Sequence, residues 1–374
     1  MDYFTDKLRD DEFNKVIKDF EQSHPNIKIK RLPVPYEQLL PKSLRQAKTH
    51  SLPTILVTDN LNIPTMVAAG ALAPIEKFGT LDKSQYLQGP IETGAVDGKQ
   101  YGVPVGSNDL ALFYNKAMLK DAGVTPPKTW DEFVAAAKKL HNGSTYGVAF
   151  SAPSDEQATW QFSPFVWANG GDFLKFDSPE TVGALKLWQT LVKEGGASQS
   201  VVNFGQTQVY NEFAAKRAAM MVMGPWEMPA LDQAGIDYGV VPLPVPSEDK
   251  PATSPIGGED FAITTSATLD QQKAAWTYIE WLQDKDRLTE MDKVFGYMPA
   301  YKPAYDEFVS QNPAFKVFAE VLKTAQPLTA STGEKFPEVS DAITTALQKV
   351  LTGGESAEQA AKEAQDKISQ ITGK

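Results

Sequence analysis

Residues 53–60 read PTILVTDN, an apolar run that ends in two polar side chains. A short run of this kind, rich in β-branched residues, predicts a strand that is buried on both faces. Residues 64–70 then return to helical spacing, so the stretch predicts a strand followed by a helix. Open α/β sheets bind ligands at the carboxyl ends of their strands, which is where Asp59 and Asn60 fall.

The same alternation of strands and helices continues along the chain. The apolar patterns predict strands at 27–30, 54–58, 109–114, 146–151, 218–223, 238–243 and 261–265. Helical spacing and capping signals predict helices at 11–22, 64–70, 129–143, 178–196, 268–283 and 339–350, and a last helix that starts at 356. Repeated alternation of this kind predicts an α/β protein with mostly parallel sheets.

Length, charge and cysteine content exclude several classes of protein. The chain has 374 residues, which suggests two or three domains. Its net charge of −11 argues against nucleic acid as a partner, because phosphate binding needs clustered Lys and Arg. The absence of Cys excludes disulfides and thiolate metal sites. No apolar run is long enough to suggest a membrane span, and the start lacks a signal peptide, so we expect a cytosolic protein or a mature or trimmed chain.

The motifs of common enzymes are missing. There is no Gly-rich nucleotide loop, no metalloprotease motif and no nucleophile elbow. The three histidines are isolated from one another, so no pair has the spacing of metal ligands. We therefore expect no catalytic residues, no metal site and no cofactor.

Three loops instead combine aromatic residues with glycine. They are residues 223–227 (MGPWE), 256–260 (IGGED) and 295–300 (FGYMPA). Each loop taken alone is also typical of a turn or of core packing. Together they predict a cleft with flat apolar faces and hydrogen-bonding groups, which suits a sugar.

An ordered set of short motifs resembles a known family. Residues 53–60 and 68–72 (AAGAL) are followed by GKQYGVP at 98–104, LFYNK at 112–116, PKTWDEF at 127–133, ANGG at 168–171, GPW at 224–226 and GG at 257–258. In this order they resemble the solute-binding proteins of ABC importers, in the family-1, maltose-binding-protein-like sugar-binding group. Thr54 and Tyr301 depart from the pattern, and family members have a full apolar strand before Asp2, so that strand was trimmed or the register differs here.

The resemblance implies a two-lobed periplasmic-binding-protein fold of type II. The N-terminal lobe would comprise 1–108 and 260–304, and the C-terminal lobe 112–256 and 309–374. Hinge crossings would lie near 107–111, 256–261 and 302–308. Such a protein is an extracytoplasmic monomer, periplasmic or anchored as a lipoprotein. It closes on its solute by hinge bending and delivers it to the permease subunits of the transporter.

The resemblance also implies which residues bind the ligand. Hydrogen bonds to sugar hydroxyls would come from Asp59, Asn60, Asn108, Asp109 and Glu259, stacking from Trp160 and Trp226, close backbone approach from Gly258, and a rim contact from Tyr297. Tyr3, Glu37 and Tyr301 are further candidates. The Asp and Asn residues are also typical helix N-caps, and Trp160 is equally compatible with core packing.

The ligand class follows from the same residues. Aromatic rings with carboxylates and amides favour a neutral di- or oligosaccharide, since phosphate would call for Arg or Lys in these loops. An α-glucoside such as maltose, trehalose or sucrose fits the pattern best. The alternatives are a polyamine or another non-sugar solute on the same fold, and a glycosidase that would use Asp59, Asp109 and Glu259.

Overall fold

Residues 1–374, all described by this computed structural model, divide into two units that each contain two segments of the chain. Unit 1 consists of Met1–Asn108 and Ile256–Phe315, and unit 2 consists of Asp109–Pro255 and Lys316–Lys374. The predicted crossing near 302–308 falls inside helix Lys302–Gln311 of unit 1, so the chain leaves this unit only after Phe315. Pro303 in the first turn of this helix favours helix initiation at that point.

Helices account for most of the regular structure. In chain order they are α1 (Lys7–Ser23), α2 (Tyr36–Lys48), α3 (Ile63–Ala68), α4 (Gln88–Thr93), α5 (Lys116–Ala122), α6 (Trp130–Leu140), α7 (Glu156–Ala168), α8 (Pro179–Lys193), α9 (Gln206–Ala214), α10 (Met228–Gln233), α11 (Leu269–Leu282), α12 (Lys285–Phe295), α13 (Lys302–Gln311), α14 (Lys316–Val321), α15 (Phe336–Leu351) and α16 (Ala357–Thr372). None of these helices is both long and apolar enough to cross a membrane.

Strands are short. They are β1 (Ile55–Asp59), β2 (Ala95–Val96), β3 (Lys99–Gln100), β4 (Gly102–Pro104), β5 (Gly106–Ser107), β6 (Ala111–Asn115), β7 (Tyr146–Ala149), β8 (Ala218–Met223), β9 (Tyr238–Val241), β10 (Glu259–Ile263) and β11 (Met298–Pro299). The predicted strand at 27–30 is wrong, because these residues join no ladder and the Ile29 amide instead donates to the Glu21 carboxylate.

The sheet of unit 1 has the order β1-β10-β4, and both of its strand pairs are antiparallel. The other edge of β1 pairs with Met1, which donates to the Ile55 carbonyl at 2.8 Å and accepts from the Val57 amide at 2.9 Å. Asp2 in turn forms a parallel bridge with Pro33. The first two residues therefore occupy a strand position between β1 and the segment that ends at 34.

The sheet of unit 2 has the order β7-β8-β6-β9. Of its three strand pairs, only β7–β8 is parallel. The prediction of mostly parallel sheets is therefore wrong for both units, although the alternation of helix and strand is confirmed. The alternation of hydrophobic patterns in the sequence identifies helices and strands. The direction of a strand depends instead on the distant segment with which it pairs, and neighbouring residues do not specify that segment.

Each unit has its own aromatic core. In unit 1, Phe4 packs edge-on against Phe13 and also contacts Phe295, with ring centroids 5.3 and 4.6 Å away. In unit 2, Trp188 of α8 contacts Phe150 and Phe162 at 4.3 and 5.0 Å. These rings are almost completely buried, so they fix the sheets against the flanking helices and hold the strand ends in place.

Candidate functional site

Two carboxylates meet at one end of the unit 1 sheet. β1 ends at Asp59 and β10 begins at Glu259, and these two residues are directly paired in the antiparallel ladder. Directly opposed residues project from the same face, with Cβ atoms about 5 Å apart. The ladder therefore brings together two acidic side chains that are 200 residues apart in the sequence.

Three tyrosine hydroxyls donate to these carboxylates. Tyr36 donates to Asp59 Oδ2 at 3.0 Å, and Tyr297 donates to Glu259 Oε1 at 2.6 Å. Tyr3 also donates to Glu259 Oε1, and its ring packs edge-on against Tyr36 with centroids 5.0 Å apart. We refer to these five residues as the tyrosine–carboxylate cluster. Its hydroxyls orient the carboxylates, and its rings supply apolar surface beside them.

Glu259 retains one unused acceptor. It is 3% exposed, and its Oε2 atom has no hydrogen-bond partner within the protein. Burial raises the pKa of this carboxyl, while the hydrogen bonds from Tyr297 and Tyr3 act in the opposite direction. A buried acceptor without a partner is costly, so a ligand hydroxyl that donates to Oε2 would satisfy it.

Further acidic groups surround the cluster. Asp260 and Asp292 are completely buried, and none of their four carboxylate oxygens has a hydrogen-bond partner. Burial raises the pKa of both groups, and the nearby Glu259 raises them further. Arg9 is the cation that lies close to this region, where it hydrogen-bonds Tyr297 and opposes the rise in that tyrosine's pKa. No group of three or more acidic or histidine side chains is arranged to hold a metal ion.

Three of the predicted ligand residues have structural roles in unit 1. The Asn60 amide donates to the Ile256 carbonyl at 3.0 Å, and the Asn108 backbone exchanges two hydrogen bonds with Gly257. Gly258 has φ of +131°, and a Cβ there would lie 2.3 Å from the Gly106 carbonyl oxygen. The glycine therefore permits close approach of the β5 backbone, and the predicted approach of a ligand stays a prediction.

The remaining unit 1 candidates divide between the cluster and the surface. Tyr297 is not the rim residue that we predicted, because it is 2% exposed and donates to Glu259. Tyr3 belongs to the cluster as well. Tyr301 lies elsewhere and packs against Tyr86, with ring centroids 5.6 Å apart. Glu37 is exposed in the first turn of α2.

Unit 2 contains the other three candidates. Asp109 is buried without a hydrogen-bond partner for either oxygen, and burial raises its pKa well above the ordinary value. Trp160 of α7 is 5% exposed, and its indole N–H likewise has no partner. Trp226 is half-buried, and its ring covers Gly224, where an added Cβ would lie 1.8 Å from the ring. The unit 2 candidates thus include a buried acceptor, a buried donor and a half-buried ring, and their contact with a ligand stays a prediction.

Sequence reasoning missed four residues of the unit 1 site. Tyr36 lies in the first turn of α2, and Arg9 lies in the first turn of α1. Asp260 and Asp292 appear in the sequence as surface-type residues, yet both are buried. For Asp260, the segment GGED at 257–260 could have revealed its role, because two acidic residues at the start of an apolar strand are unusual.

Comparison with known proteins gives the class to which this two-unit chain belongs. A family model described as bacterial extracellular solute-binding protein matches residues 15–317. The chain belongs to that family, and it is a solute-binding protein rather than an enzyme. The expected two-lobed fold is confirmed by the solved structures described next.

Among the similar structures is an ABC transporter solute-binding protein from Thermotoga lettingae bound with α-D-tagatose. It is 27% identical, with a TM-score of 0.89 over 98% of this chain and 97% of that chain. The cyclic α-maltosyl-1,6-maltose binding protein from Arthrobacter globiformis is 26% identical, with a TM-score of 0.79 over 99% and 97% of the two chains. A curated relative, the sn-glycerol-3-phosphate-binding periplasmic protein UgpB of Brucella melitensis, is 26% identical over 93% of this chain and 86% of its own length.

Proposed function

We propose that this protein captures a neutral di- or oligosaccharide and delivers it to the permease of an ABC importer. The observation that supports this most strongly is the tyrosine–carboxylate cluster of unit 1. Its rings match the C–H faces of a pyranose, and Asp59 and Glu259 accept hydrogen bonds from sugar hydroxyls. The similar proteins include an ABC transporter solute-binding protein bound with α-D-tagatose and a cyclic α-maltosyl-1,6-maltose binding protein.

The charge of the site favours a neutral sugar over a glycerophosphate ligand. Glycerol 3-phosphate is the ligand that the name of the UgpB relatives gives. A phosphate group needs Arg or Lys donors, and helix N-termini add to them. The unit 1 site instead pairs two acidic residues, Asp59 and Glu259, and Arg9 is the cation that acts on Glu259. Bringing a phosphate close to an ionised carboxylate of this pair costs Coulomb energy, since like charges in a buried site are poorly screened.

A polyamine is the second candidate, and the same carboxylates favour it. The ammonium groups of a polyamine would pair with Asp59 and Glu259, and the tyrosine rings would contact its methylene groups. Against this stands the bonding of the carboxylates, because three tyrosine hydroxyls already donate to them. Such hydroxyl-bonded carboxylates are well suited to exchange hydrogen bonds with a polyol.

Within the neutral sugars we propose an α-glucoside such as maltose, trehalose or sucrose. The proposal extends to unit 2, where Trp226 would stack on a pyranose ring while Asp109 and the Trp160 indole bond to hydroxyls. Ligand groups would thus come from both units, and hinge closure around the sugar stays a prediction. The partner permease, a monomeric state and a periplasmic or lipid-anchored location belong to the same proposal.

A thermal-shift screen tests the ligand class. The panel contains maltose, trehalose and sucrose, with sn-glycerol 3-phosphate, glycerophosphocholine and spermidine as competing chemistries. A ligand present at 100 times its Kd stabilises the native state by about 2.7 kcal/mol, which is a readily measured shift in Tm. We expect shifts with a neutral disaccharide. A shift with spermidine or a phosphate ester alone would overturn the proposal.

A further inference from the structure

Arg9 connects the surface of α1 to the tyrosine–carboxylate cluster. The Asp6 side chain caps α1 by accepting from the Arg9 amide at 3.1 Å, and it also accepts from Arg9 Nε at 2.5 Å. The Arg9 side chain is 21% exposed, and it hydrogen-bonds the buried Tyr297. The first turn of the helix thus holds a cation at the edge of the buried site.

This contact fixes the direction of the Tyr297 hydroxyl. A guanidinium group can only donate hydrogen bonds, so Arg9 must bond to the tyrosine oxygen. The single hydroxyl hydrogen of Tyr297 then donates to Glu259 Oε1, which lies 2.6 Å away. Linked hydrogen bonds of this kind strengthen one another in a buried setting. Arg9, Tyr297 and Glu259 therefore form one directed chain.

The chain also determines which oxygen of Glu259 is left for a ligand. Oε1 accepts from both Tyr297 and Tyr3, whereas Oε2 is buried and has no partner within the protein. A proton bound by this carboxyl would go to Oε2, because the two tyrosine donors already occupy Oε1. Protonation would turn the free acceptor into a donor, so the charge state of Glu259 decides what Oε2 can bind.

Arg9 is the cation that acts on this charge state. Burial raises the pKa of Glu259, and the hydrogen bonds from Tyr297 and Tyr3 and the charge of Arg9 lower it. Nearby acids cannot have the effect of Arg9, because a second negative charge favours the protonated carboxyl. The charged and titratable groups around Glu259 are Tyr3, Arg9, Asp59, Asp260, Asp292 and Tyr297.

We propose that Arg9 is a positioning residue of the unit 1 site, which acts through Tyr297 to hold Glu259 as a carboxylate with Oε2 free to accept from the ligand. Arg9 has this role without touching the ligand. The role rests on the proposed function, in which a sugar hydroxyl donates to Oε2. An Arg9 side chain that only stabilised α1 through Asp6 would leave Glu259 unaffected, so the two roles predict different pH profiles.

The pH dependence of sugar binding distinguishes the two roles. Calorimetry gives the Kd of the disaccharide with the largest thermal shift, from about pH 5 to about pH 9, for the parent, Arg9→Gln and the control Lys15→Gln. Lys15 is a cation of the same helix that pairs with Glu12, three residues before it, as Arg9 pairs with Asp6. The control therefore removes an equal charge and a similar ion pair from α1.

We expect Arg9→Gln to bind sugar like the parent at high pH, where Glu259 is ionised in both. Below the pH at which Glu259 ionises, the variant should bind at least about threefold more weakly, which is a shift of about half a pH unit. Lys15→Gln should follow the parent throughout. Weakening of Arg9→Gln by the same factor at every pH, or a profile equal to that of the parent, would overturn the proposal.

Carbon-13 NMR of the Glu259 carboxyl tests the same role without a ligand. The signal is identified by its absence from Glu259→Gln, and it is titrated in the parent, Arg9→Gln, Tyr297→Phe and the double variant. We expect Arg9→Gln to raise the pKa of Glu259, and to raise it less when Tyr297 is already Phe, because the effect passes through the tyrosine hydroxyl.

Two results of the NMR titration would overturn the proposal. One is an unchanged titration of Glu259 in Arg9→Gln, and the other is an equal effect of Arg9→Gln with and without the Tyr297 hydroxyl. Failure of the parent to bind any sugar would refute the proposed function instead, and the titration of Glu259 would still decide the role of Arg9.

Discussion

Replacing Glu259 with Gln tests the chemistry of the unit 1 site with a change of one atom. The glutamine carbonyl can still accept from Tyr3 and Tyr297, as Glu259 Oε1 does now. The other oxygen, which has no partner within the protein, becomes an NH₂ group. Glu259→Gln therefore converts the proposed acceptor for a sugar hydroxyl into a donor while it preserves the internal hydrogen bonds.

The expected loss in affinity follows from the strength of one charged hydrogen bond. A hydrogen bond to an ionised group contributes about 1.5–3 kcal/mol, so sugar binding should weaken about 10- to 150-fold. The free energy of unfolding should change by less than about 1 kcal/mol, because removing a buried charge offsets the weaker acceptor. Calorimetric titration and urea denaturation measure the two quantities on the same preparation.

A matched control distinguishes a local effect from a general loss of negative charge. Glu37→Gln makes the same chemical change on the exposed first turn of α2 and should alter neither affinity nor stability. The reasoning would be refuted if Glu259→Gln bound sugar like the parent. Equal weakening by Glu37→Gln would also refute it, because long-range charge would then explain the effect.

Three further predictions concern stability, stacking and closure. Burial and Glu259 raise the pKa of Asp292, so the native state binds a proton that the unfolded chain releases, and stability should fall as pH rises above the ordinary Asp range. Asp292→Asn should therefore stabilise the protein by at least about 1 kcal/mol at pH 8 and by less at pH 5. The control Asp286→Asn, at an exposed position, should change stability at neither pH. An Asp292→Asn variant with a lower Tm than the parent at pH 8 would contradict the prediction. Trp226→Ala should weaken sugar binding by about 2–4 kcal/mol with little change in unfolding free energy, and a variant that binds normally but unfolds much more easily would show a core role. Small-angle scattering should show a smaller radius of gyration with saturating sugar, and an unchanged profile with proven binding would contradict hinge closure.

Local patterns in the sequence predicted most of the elements. The strand predicted at 218–223 is β8 without a shift, and the strand predicted at 54–58 is β1 shifted by one residue. The helix predicted after Thr129 begins where expected, since the Thr129 side chain accepts from the Glu132 amide. Hydrophobic runs and caps are set by nearby residues, so they can be found in a single sequence.

Strand direction and the failed strand at 27–30 depend on distant partners. The alternation in that segment is real, but a strand needs a neighbour, and the nearby Asp2 backbone bonds to Leu32 and Val34 rather than to residues 27–30. The antiparallel pairing of β1 with β10 joins segments about 200 residues apart. No local pattern specifies such a pairing, so the parallel sheets that we predicted were wrong.

The sequence suggested the kinds of residue at the candidate site better than it suggested their contacts. Asp59 was proposed because polar residues follow a predicted strand there, and Glu259 was proposed from the family resemblance; the ladder places the two side by side. The rim position predicted for Tyr297 was wrong because burial is a tertiary property, and the approach of the Gly106 carbonyl to Gly258 was not foreseen for the same reason. Tyr36 was missed because a tyrosine at a helix start carries no signal of the carboxylate that it contacts.

Competition calorimetry tests the central claim most directly. The parent protein is titrated with the disaccharide that gives the largest thermal shift, first alone and then in the presence of excess sn-glycerol 3-phosphate. The tyrosine–carboxylate cluster predicts saturable one-to-one binding of the sugar, with a Kd that the phosphate ester leaves unchanged. Displacement of the sugar by the phosphate ester, or binding of the ester alone, would contradict the account.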